Sequence, residues 1–205
     1  MKVSVLLNVF LAAAVAVLAV AKFAPESSSK TDNPVIDNIM TRTSIRAYET
    51  KKVEEKKIEV MLRAAMAAPT AINSQPWNFV VVDDSAKLKE LADSLPNAKM
   101  AAEAPLAIVV CGNMQKAIEG EGRQNWIADA SAATENLLLA AHSLGLGAVW
   151  TGVYPSEHRV SVARGVLGLP EYVVPLSLIP VGYPAESPKP KDKWKPENVH
   201  RNGWN

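Results

Sequence analysis

The chain alternates between segments with helical apolar spacing and short apolar runs. Apolar residues recur at helical spacing over residues 34–40, 53–67, 85–95, 124–144 and 156–167, and these segments are predicted helices. Near-continuous apolar runs predict strands over residues 78–82, 106–111, 148–153 and 173–181. Because Pro175 cannot donate to a strand ladder, the last strand is predicted to begin at a sheet edge or a bulge.

The segment 124–144 is the longest predicted helix, and its apolar residues cover more than one face. Such a helix is predicted to be central rather than exposed. Connections of unequal length and polarity between the elements favour an α+β sandwich with a central, mainly antiparallel sheet. The pattern alone would also allow a doubly wound sheet. Residues 182–205 are rich in Pro and Lys without apolar periodicity, which predicts an extended arm.

The first 22 residues have the pattern of a targeting segment. Lys2 precedes an apolar run over residues 3–21, and Ala19-Val20-Ala21 resembles a cleavage site. The run is longer than the core of most signal peptides and close to the length of a spanning helix, so both a signal peptide and a membrane anchor are consistent with it. Either interpretation predicts an exported or membrane-anchored protein, and the periplasmic side of the membrane is favoured. A cytoplasmic location is the alternative.

The remaining residues divide into a tether and one domain. Residues 23–33 are predicted to be a flexible tether. Residues 34–205 are predicted to fold as one domain, since a chain of this size can form a sizeable core. The whole chain has 205 residues, of which 48% are hydrophobic and 21% charged.

Charge and cysteine content exclude several classes of function. A formal net charge of +1 provides no basic field for nucleic acid. Because Cys111 is the single cysteine, no intrachain disulfide or Cys-based zinc site is predicted. The three histidines have no metal-ligand spacing, so the sequence predicts no metal site.

A candidate phosphate clamp follows the first predicted helix. Arg42, Ser44 and Arg46 place two guanidinium groups around a hydroxyl, a chemistry that suits bidentate binding of a phosphate monoester. A solvated cationic turn is the alternative. Lys191 and Lys193 in the predicted arm either add cations to this clamp or remain solvated.

A polar loop over residues 69–77 joins a predicted helix to a predicted strand. The side-chain amides of Asn73 and Gln75 can donate to carbonyl oxygens and accept from ring N–H groups of a planar heterocycle. A turn that only caps the strand is the alternative.

A second candidate turn includes Gly152, where the lack of a side chain lets the backbone approach a ligand face. A strand that simply ends in a turn is the alternative there. The chain contains no GxGxxG, no GxxxxGK[ST] and no GxSxG motif.

Taken together, these segments resemble the nitroreductase family of FMN-dependent oxidoreductases. The resemblance rests on the order and spacing of TRTSIRAY (41–48), APTAINSQPWNFVVV (68–82), APLAIVVCGN (104–113), DASAATENLLLAAHSLGLGAVWTG (129–152) and VGYPAESPKPK (181–191). It covers about residues 35 to 204. The first segment has Arg-Thr-Ser where the family often has Arg-Arg-Ser, which removes one cation and leaves more of the phosphate charge to the lysines of the arm.

The resemblance implies a nitroreductase-like three-layer sandwich that forms an intertwined homodimer with FMN at each subunit interface. The implied cofactor-binding residues are Arg42, Thr43, Ser44, Arg46, Pro69, Thr70, Asn73, Gln75, Trp150, Thr151, Gly152, Lys191 and Lys193. Some of these would reach the flavin from the partner subunit. No side chain is implied as a catalytic acid or base, because the flavin carries the chemistry.

The resemblance also implies an activity. FMN would take a hydride from NAD(P)H and pass it, or two electrons, to a nitroaromatic, quinone or similar small-molecule acceptor. Two alternatives stay open: a different flavin reaction on the same fold, such as reductive dehalogenation or flavin fragmentation, and a non-catalytic flavin-binding protein. A donor such as NAD(P)H is not expected outside the cytoplasm, which is in tension with the predicted export.

Overall fold

The computed structural model describes residues 32–204, which form two units: the residues up to Asp37, and those from Asn38 onward. In the first unit, Asn33 Oδ1 accepts the N–H groups of Val35 at 2.9 Å and Ile36 at 3.3 Å. Asn33 therefore caps helix α1 (Pro34–Thr41). The predicted leader, residues 1–22, and most of the predicted tether lie outside the described residues.

A five-stranded sheet forms the centre of the second unit. Its strands are β1 (Trp77–Val82), β2 (Leu106–Asn113), β3 (Gly147–Ala148), β4 (Thr151–Gly152) and β5 (Val173–Gly182). The order is β1-β2-β5-β3, and β4 also pairs with β5. Every pairing of these strands is antiparallel, which confirms the predicted sheet and excludes the doubly wound alternative.

Four helices cover the two faces of this sheet: α2 (Glu55–Met66), α3 (Ser85–Ser94), α4 (Asn125–Ser143) and α5 (Glu157–Leu167). Alternate residues of β2 point to opposite sides. Ile108 and Val110 pack in one core cluster with residues of α2 and α4, whereas Val109 packs in another with residues of α3 and α5. The three-layer sandwich and the central position of α4 are thus as predicted.

The strand predicted over residues 148–153 is interrupted. Gly147 and Ala148 pair with Gly182 and Val181 of β5, and Thr151 pairs with Leu178 in the same register. That register places Pro180 opposite Val149. Because proline has no N–H to donate, the ladder breaks there and resumes at Thr151.

The last strand was predicted to begin at an edge or a bulge, and only the bulge is observed. The register of β2 against β5 shifts between Val110 and Cys111, and Cys111 lies opposite Pro175. The strand itself lies between β2 and β3 in the sheet. The bulge lets a central strand contain a proline.

No helix within residues 32–204 combines the length and the apolar character that crossing a membrane requires.

Candidate functional site

A cleft of about 690 Å³ contains the predicted clamp residues together with the predicted lysines of the arm. Its cationic side chains are Arg42, Arg46, Lys189, Lys191 and Lys193. Thr43 and Ser44 add hydroxyl groups, and Glu135 and Asp192 are the two carboxylates of the lining. The structure thus brings together two segments almost 150 positions apart in sequence, with an excess of positive charge in what we call the cationic cleft.

Arg42 is held in the cleft by an ion pair. Its Nε lies 3.4 Å from Glu135 Oε1 on the central helix α4, and its side chain is 20% exposed. A guanidinium group has further N–H donors beyond the one that faces Glu135. The ion pair therefore orients Arg42 without using all of its donors.

The clamp segment, residues 42–46, is held against the sheet by backbone pairing. Ser44 forms a parallel bridge with Ala148, and the Ile45 N–H donates to the Ala148 carbonyl at 3.1 Å. The approach requires glycine at position 147, where a Cβ atom would lie 2.6 Å from Ile45 Cγ2. Gly147 therefore permits the close contact between the clamp segment and β3.

The arm, which begins after β5, runs beside the clamp segment. Glu186 accepts hydrogen bonds from the backbone N–H groups of Arg46 and, at 3.2 Å, Ala47. Tyr48 is buried, and its hydroxyl donates to the Ile45 carbonyl at 2.6 Å. Burial, and to a lesser degree the nearby Glu186 carboxylate, raises the pKa of Tyr48, so the hydroxyl stays protonated and remains a donor.

A histidine lies next to the clamp. His142 Nε2 is 3.0 Å from Thr41 Oγ1, and both residues line a smaller pocket of about 310 Å³ together with Glu186 and Pro190. Partial burial and the positive charge of Arg42 lower the pKa of His142. The neutral imidazole is therefore favoured beside the clamp.

The polar loop adopts a strained backbone. We call residues 69–76 the amide loop, and it contains a short 3₁₀ turn over Ala71–Asn73. Ile72, Asn73 and Gln75 have positive φ angles of 48°, 57° and 49°. Such conformations cost roughly 1–3 kcal/mol each in residues other than glycine, and for a β-branched residue like Ile72 they are rare.

The amide loop presents its polar groups to solvent. Asn73 and Gln75 are exposed, and Gln75 Nε2 donates to Asn73 Oδ1 at 3.1 Å. The Gln75 N–H donates to Thr70 Oγ1 at 3.2 Å, and Pro69 is exposed at the start of the loop. The two amides thus form one donor and acceptor surface outside the core.

Residues 150–152, which we call the glycine turn, are held by hydrogen bonds and leave open space next to Gly152. Thr151 is buried, and its hydroxyl donates to the Leu178 carbonyl at 2.6 Å. The Gly152 carbonyl accepts from Asn97 Nδ2 at 3.0 Å and Arg159 Nη1 at 3.2 Å. A Cβ atom on Gly152 would meet no described atom within 4 Å, so the space in front of this glycine is open to a ligand.

The predicted residues form separate groups within one chain. Arg42, Thr43, Ser44, Arg46, Lys191 and Lys193 line the cationic cleft. Among the described residues, neither the amide loop nor the glycine turn, including the exposed Trp150, contributes to that lining. A ligand that contacts all three groups would need a surface beyond the single cleft.

Sequence reasoning missed several residues that hold these groups in place. Asp129 on α4 accepts the N–H of Ala71 in the amide loop at 2.9 Å. It lies among the buried residues of α4, so an acidic residue within the apolar pattern of that helix was the available signal. For Gly147 and Glu186 no local signal exists, because their partners are distant in sequence.

The comparisons with known proteins identify the relatives of this chain. The Nitroreductase family matches residues 39–97 and 91–183. A relative from Methanothermobacter thermautotrophicus, with the provisional name NADH dehydrogenase/NAD(P)H nitroreductase, is 46% identical over 172 residues, which are 83% of this chain and 87% of the relative.

Solved structures with related names also resemble this chain. A crystal structure from Parabacteroides distasonis, with the same provisional name, has a TM-score of 0.80 and 44% identity and covers 84% of this chain and 100% of its own. A structure described as an FMN-dependent nitroreductase from Clostridium difficile has a TM-score of 0.75 and 32% identity, with coverages of 82% and 99%.

The comparisons correct the predicted location. The sequence predicted a signal peptide or a membrane anchor through residues 3–21, and an exported or membrane-anchored protein, and this prediction is wrong. The relatives share more than four-fifths of this chain and include proteins named for NAD(P)H, a donor that is not expected on the exported side of a membrane. The apolar run alone could not reveal the error, because it reports hydrophobicity and carries no information about the electron donor.

Proposed function

Because this chain belongs to the nitroreductase family, we propose that it is an FMN-dependent oxidoreductase that uses NAD(P)H to reduce nitroaromatic, quinone or similar small acceptors. The enzyme class and the cofactor follow the relatives, which are named NAD(P)H nitroreductases and, for one solved structure, FMN-dependent.

The cationic cleft is the observation that carries the proposal. The phosphate monoester of FMN bears a charge of about −1.5 to −2 at neutral pH, as phosphate monoesters do. Arg42 and Arg46 offer planar donor groups that match phosphate oxygens, and Lys191 and Lys193 add point charges. The chemistry of this donor set fits the phosphate and the adjoining ribityl chain, for which Thr43 and Ser44 supply hydroxyl groups.

The amide loop and the glycine turn suit the ring of the flavin. Asn73 and Gln75 expose amides that can pair with the carbonyl and N–H groups of a planar heterocycle. Pro69 and Thr70 would lie along the ring at the start of the loop. Trp150, Thr151 and Gly152 would approach the ring from the glycine turn, where the space before Gly152 is open.

A homodimer would bring these groups to one flavin. Within one chain the amide loop does not line the cationic cleft, so a second subunit is the natural source of the missing ring contacts. Ile72 at the tip of the loop is 84% exposed, and Met66 just before it is 51% exposed. Contact with a second subunit would remove these two apolar side chains from water, which is favourable.

The chemistry that bound FMN supplies is hydride transfer, from NAD(P)H to the ring and then, as a hydride or two electrons, to the acceptor. The residues of this chain bind and orient the cofactor, and no side chain is assigned as an acid or base. Residues 114–124 between β2 and α4 form a short connection that contains a 3₁₀ turn over Gly120–Gln124, and so short a connection favours a small, permissive acceptor site. Reductive dehalogenation, flavin fragmentation and non-catalytic flavin binding are the competing functions.

A flavin assay on the purified full-length protein tests the proposal. We expect a yellow protein that releases about one FMN per subunit on boiling, oxidises NADH or NADPH, and turns over a nitroaromatic and a quinone. Turnover of a halogenated phenol without turnover of a nitroaromatic would replace the acceptor class. A colourless protein that does not bind added FMN would refute the proposed function.

A further inference from the structure

We propose that Asp129 is a positioning residue that sets the geometry of the amide loop for flavin binding. Its carboxylate acts through the backbone of Ala71 and touches neither substrate nor the reacting atoms. The inference rests on the proposed function, since the loop matters only if a flavin ring binds against it.

The loop needs an anchor because its backbone is unfavourable by itself. Positive φ angles occur at three of its residues that are not glycine, namely Ile72, Asn73 and Gln75. Conformations of this kind persist only where surrounding contacts hold them. The hydrogen bonds from Gln75 to Thr70 and to Asn73 are internal to the loop. The Asn113 N–H donates to the Pro76 carbonyl at 2.9 Å, which fixes the end of the loop next to β1 and not the strained turn.

Asp129 supplies a contact from the rigid core. It lies on α4, the central helix, where the residue is only 6% exposed. Its Oδ1 accepts the Ala71 N–H at 2.9 Å, at the first residue of the strained turn. A backbone N–H bound by a carboxylate makes a shorter and stronger hydrogen bond than one bound by a neutral acceptor.

The carboxylate is not explained by core stability. Its second oxygen, Oδ2, is buried and accepts no hydrogen bond from a described residue. A buried acidic group with incomplete hydrogen bonding is unfavourable relative to an apolar side chain at such a position. Residues that are unfavourable for the fold are expected where a site requires them.

Removing the Asp129 carboxylate is expected to lower the fraction of molecules whose amide loop has the conformation that binds FMN. Apparent affinity falls in proportion to the population of the competent conformation. If the released loop adopts the anchored geometry in about a tenth of molecules, the apparent dissociation constant for FMN rises about tenfold. Asp129→Asn keeps an oxygen acceptor for Ala71 and should restore most of the affinity.

Asn136 provides a matched control on the same helix. Its side chain donates to the Ala64 carbonyl of α2 at 3.1 Å, so Asn136→Ala also removes one partly buried hydrogen bond from α4 to a neighbouring segment. Ala64 belongs to a regular helix and not to the amide loop. Asn136→Ala should lower stability and leave FMN affinity unchanged.

The test compares wild type, Asp129→Ala, Asp129→Asn and Asn136→Ala as full-length proteins. FMN titration by flavin fluorescence gives the dissociation constants, and hydrogen exchange of the FMN-free proteins reports on residues 70–76. We expect Asp129→Ala to bind FMN about tenfold more weakly, with faster exchange confined to the amide loop and partial rescue by Asp129→Asn.

Two other outcomes distinguish a failure of the positioning role of Asp129 from a failure of the proposed function. If Asp129→Ala binds FMN as tightly as Asn136→Ala, and its loop exchanges as in wild type, the positioning role of Asp129 is overturned and the proposed function stands. If the wild-type protein itself binds no FMN, the proposed function fails, and the flavin-positioning role fails with it.

Discussion

The carboxylate of Glu186 accepts the backbone N–H of Ala47 at 3.2 Å and so fastens the arm next to the clamp segment. A further pair, the Ala185 N–H donating to the Ala47 carbonyl at 2.9 Å, continues this contact. The lysines of the arm follow only a few residues later. Glu186 therefore links the geometry of Lys191 and Lys193 to that of Arg46.

Replacing Glu186 tests this link. Glu186→Ala removes the acceptor for two backbone N–H groups, and we expect FMN binding to weaken by about 1 kcal/mol, a low value because the site is exposed. Glu186→Gln keeps an oxygen acceptor and should lose less. Titration with FMN measures both. Equal affinities for Glu186→Ala and wild type would show that the arm is held independently of this contact.

The approach of the clamp segment to β3 gives a second prediction. A Cβ atom at position 147 would lie 2.6 Å from Ile45 Cγ2, so Gly147→Ala must displace the clamp segment. We expect the free energy of unfolding to fall by about 1–3 kcal/mol, as for an overpacked site, and FMN binding to weaken with it. Urea denaturation and FMN titration measure the two effects.

Gly165 on α5 is the matched control for this substitution. A Cβ atom there meets no described atom within 4 Å, and the residue lies inside a helix. Gly165→Ala should therefore leave the protein unchanged or stabilise it by up to about 1 kcal/mol. A loss of stability in Gly165→Ala as large as that in Gly147→Ala would contradict the steric explanation.

Much of the fold could be predicted because its signals are local. Asn33, Asp84 and Ser156 each cap the helix that follows, and a capping side chain acts within three residues of itself. Strand β2 is buried along its whole length, so its near-continuous apolar run was a reliable signal. Helix boundaries differ from the predictions by only a few residues.

The features that could not be predicted depend on distant partners. The interruption between β3 and β4 requires Pro180 of β5 to lie opposite Val149, a register that no local pattern specifies. The clamp residues were identifiable by chemistry, whereas their support by Glu186 and Gly147 follows only from the folded chain. How the amide loop meets the flavin remains a prediction about the dimer.

The pH dependence of stability gives a third prediction. The folded protein lowers the pKa of His142 below its usual 6.5, through burial and through Arg42. The unfolded chain therefore takes up the proton at higher pH than the folded one does. It follows that this contribution to the free energy of unfolding is complete above about pH 6.5 and is lost as the pH falls below it.

Urea denaturation between about pH 5 and 8 measures this effect. His142→Gln removes the titrating group, and we expect its stability to decline less than that of wild type below pH 6.5. Thr41→Val is the control, because it removes the hydroxyl beside His142 but keeps the burial and Arg42. A wild-type profile that matches that of His142→Gln throughout would contradict the assignment.

The clamp itself gives the most direct prediction. Each charge-assisted hydrogen bond contributes about 1.5–3 kcal/mol, so Arg42→Ala combined with Arg46→Ala should weaken FMN binding by roughly 3 kcal/mol or more. Arg42 also pairs with Glu135, which would be left facing the phosphate in the double variant and would add to the loss.

The control for the clamp removes the same charge elsewhere. Arg63 pairs with Glu59 at 2.7 Å and Lys89 with Asp93 at 2.6 Å, both on exposed helix surfaces away from the cleft lining. Arg63→Ala combined with Lys89→Ala lowers the net charge by the same two units and should leave the FMN dissociation constant nearly unchanged. If both double variants bind FMN equally well, the phosphate is held by other residues. If both lose affinity equally, the cleft acts through the overall charge of the protein and not through placed guanidinium groups.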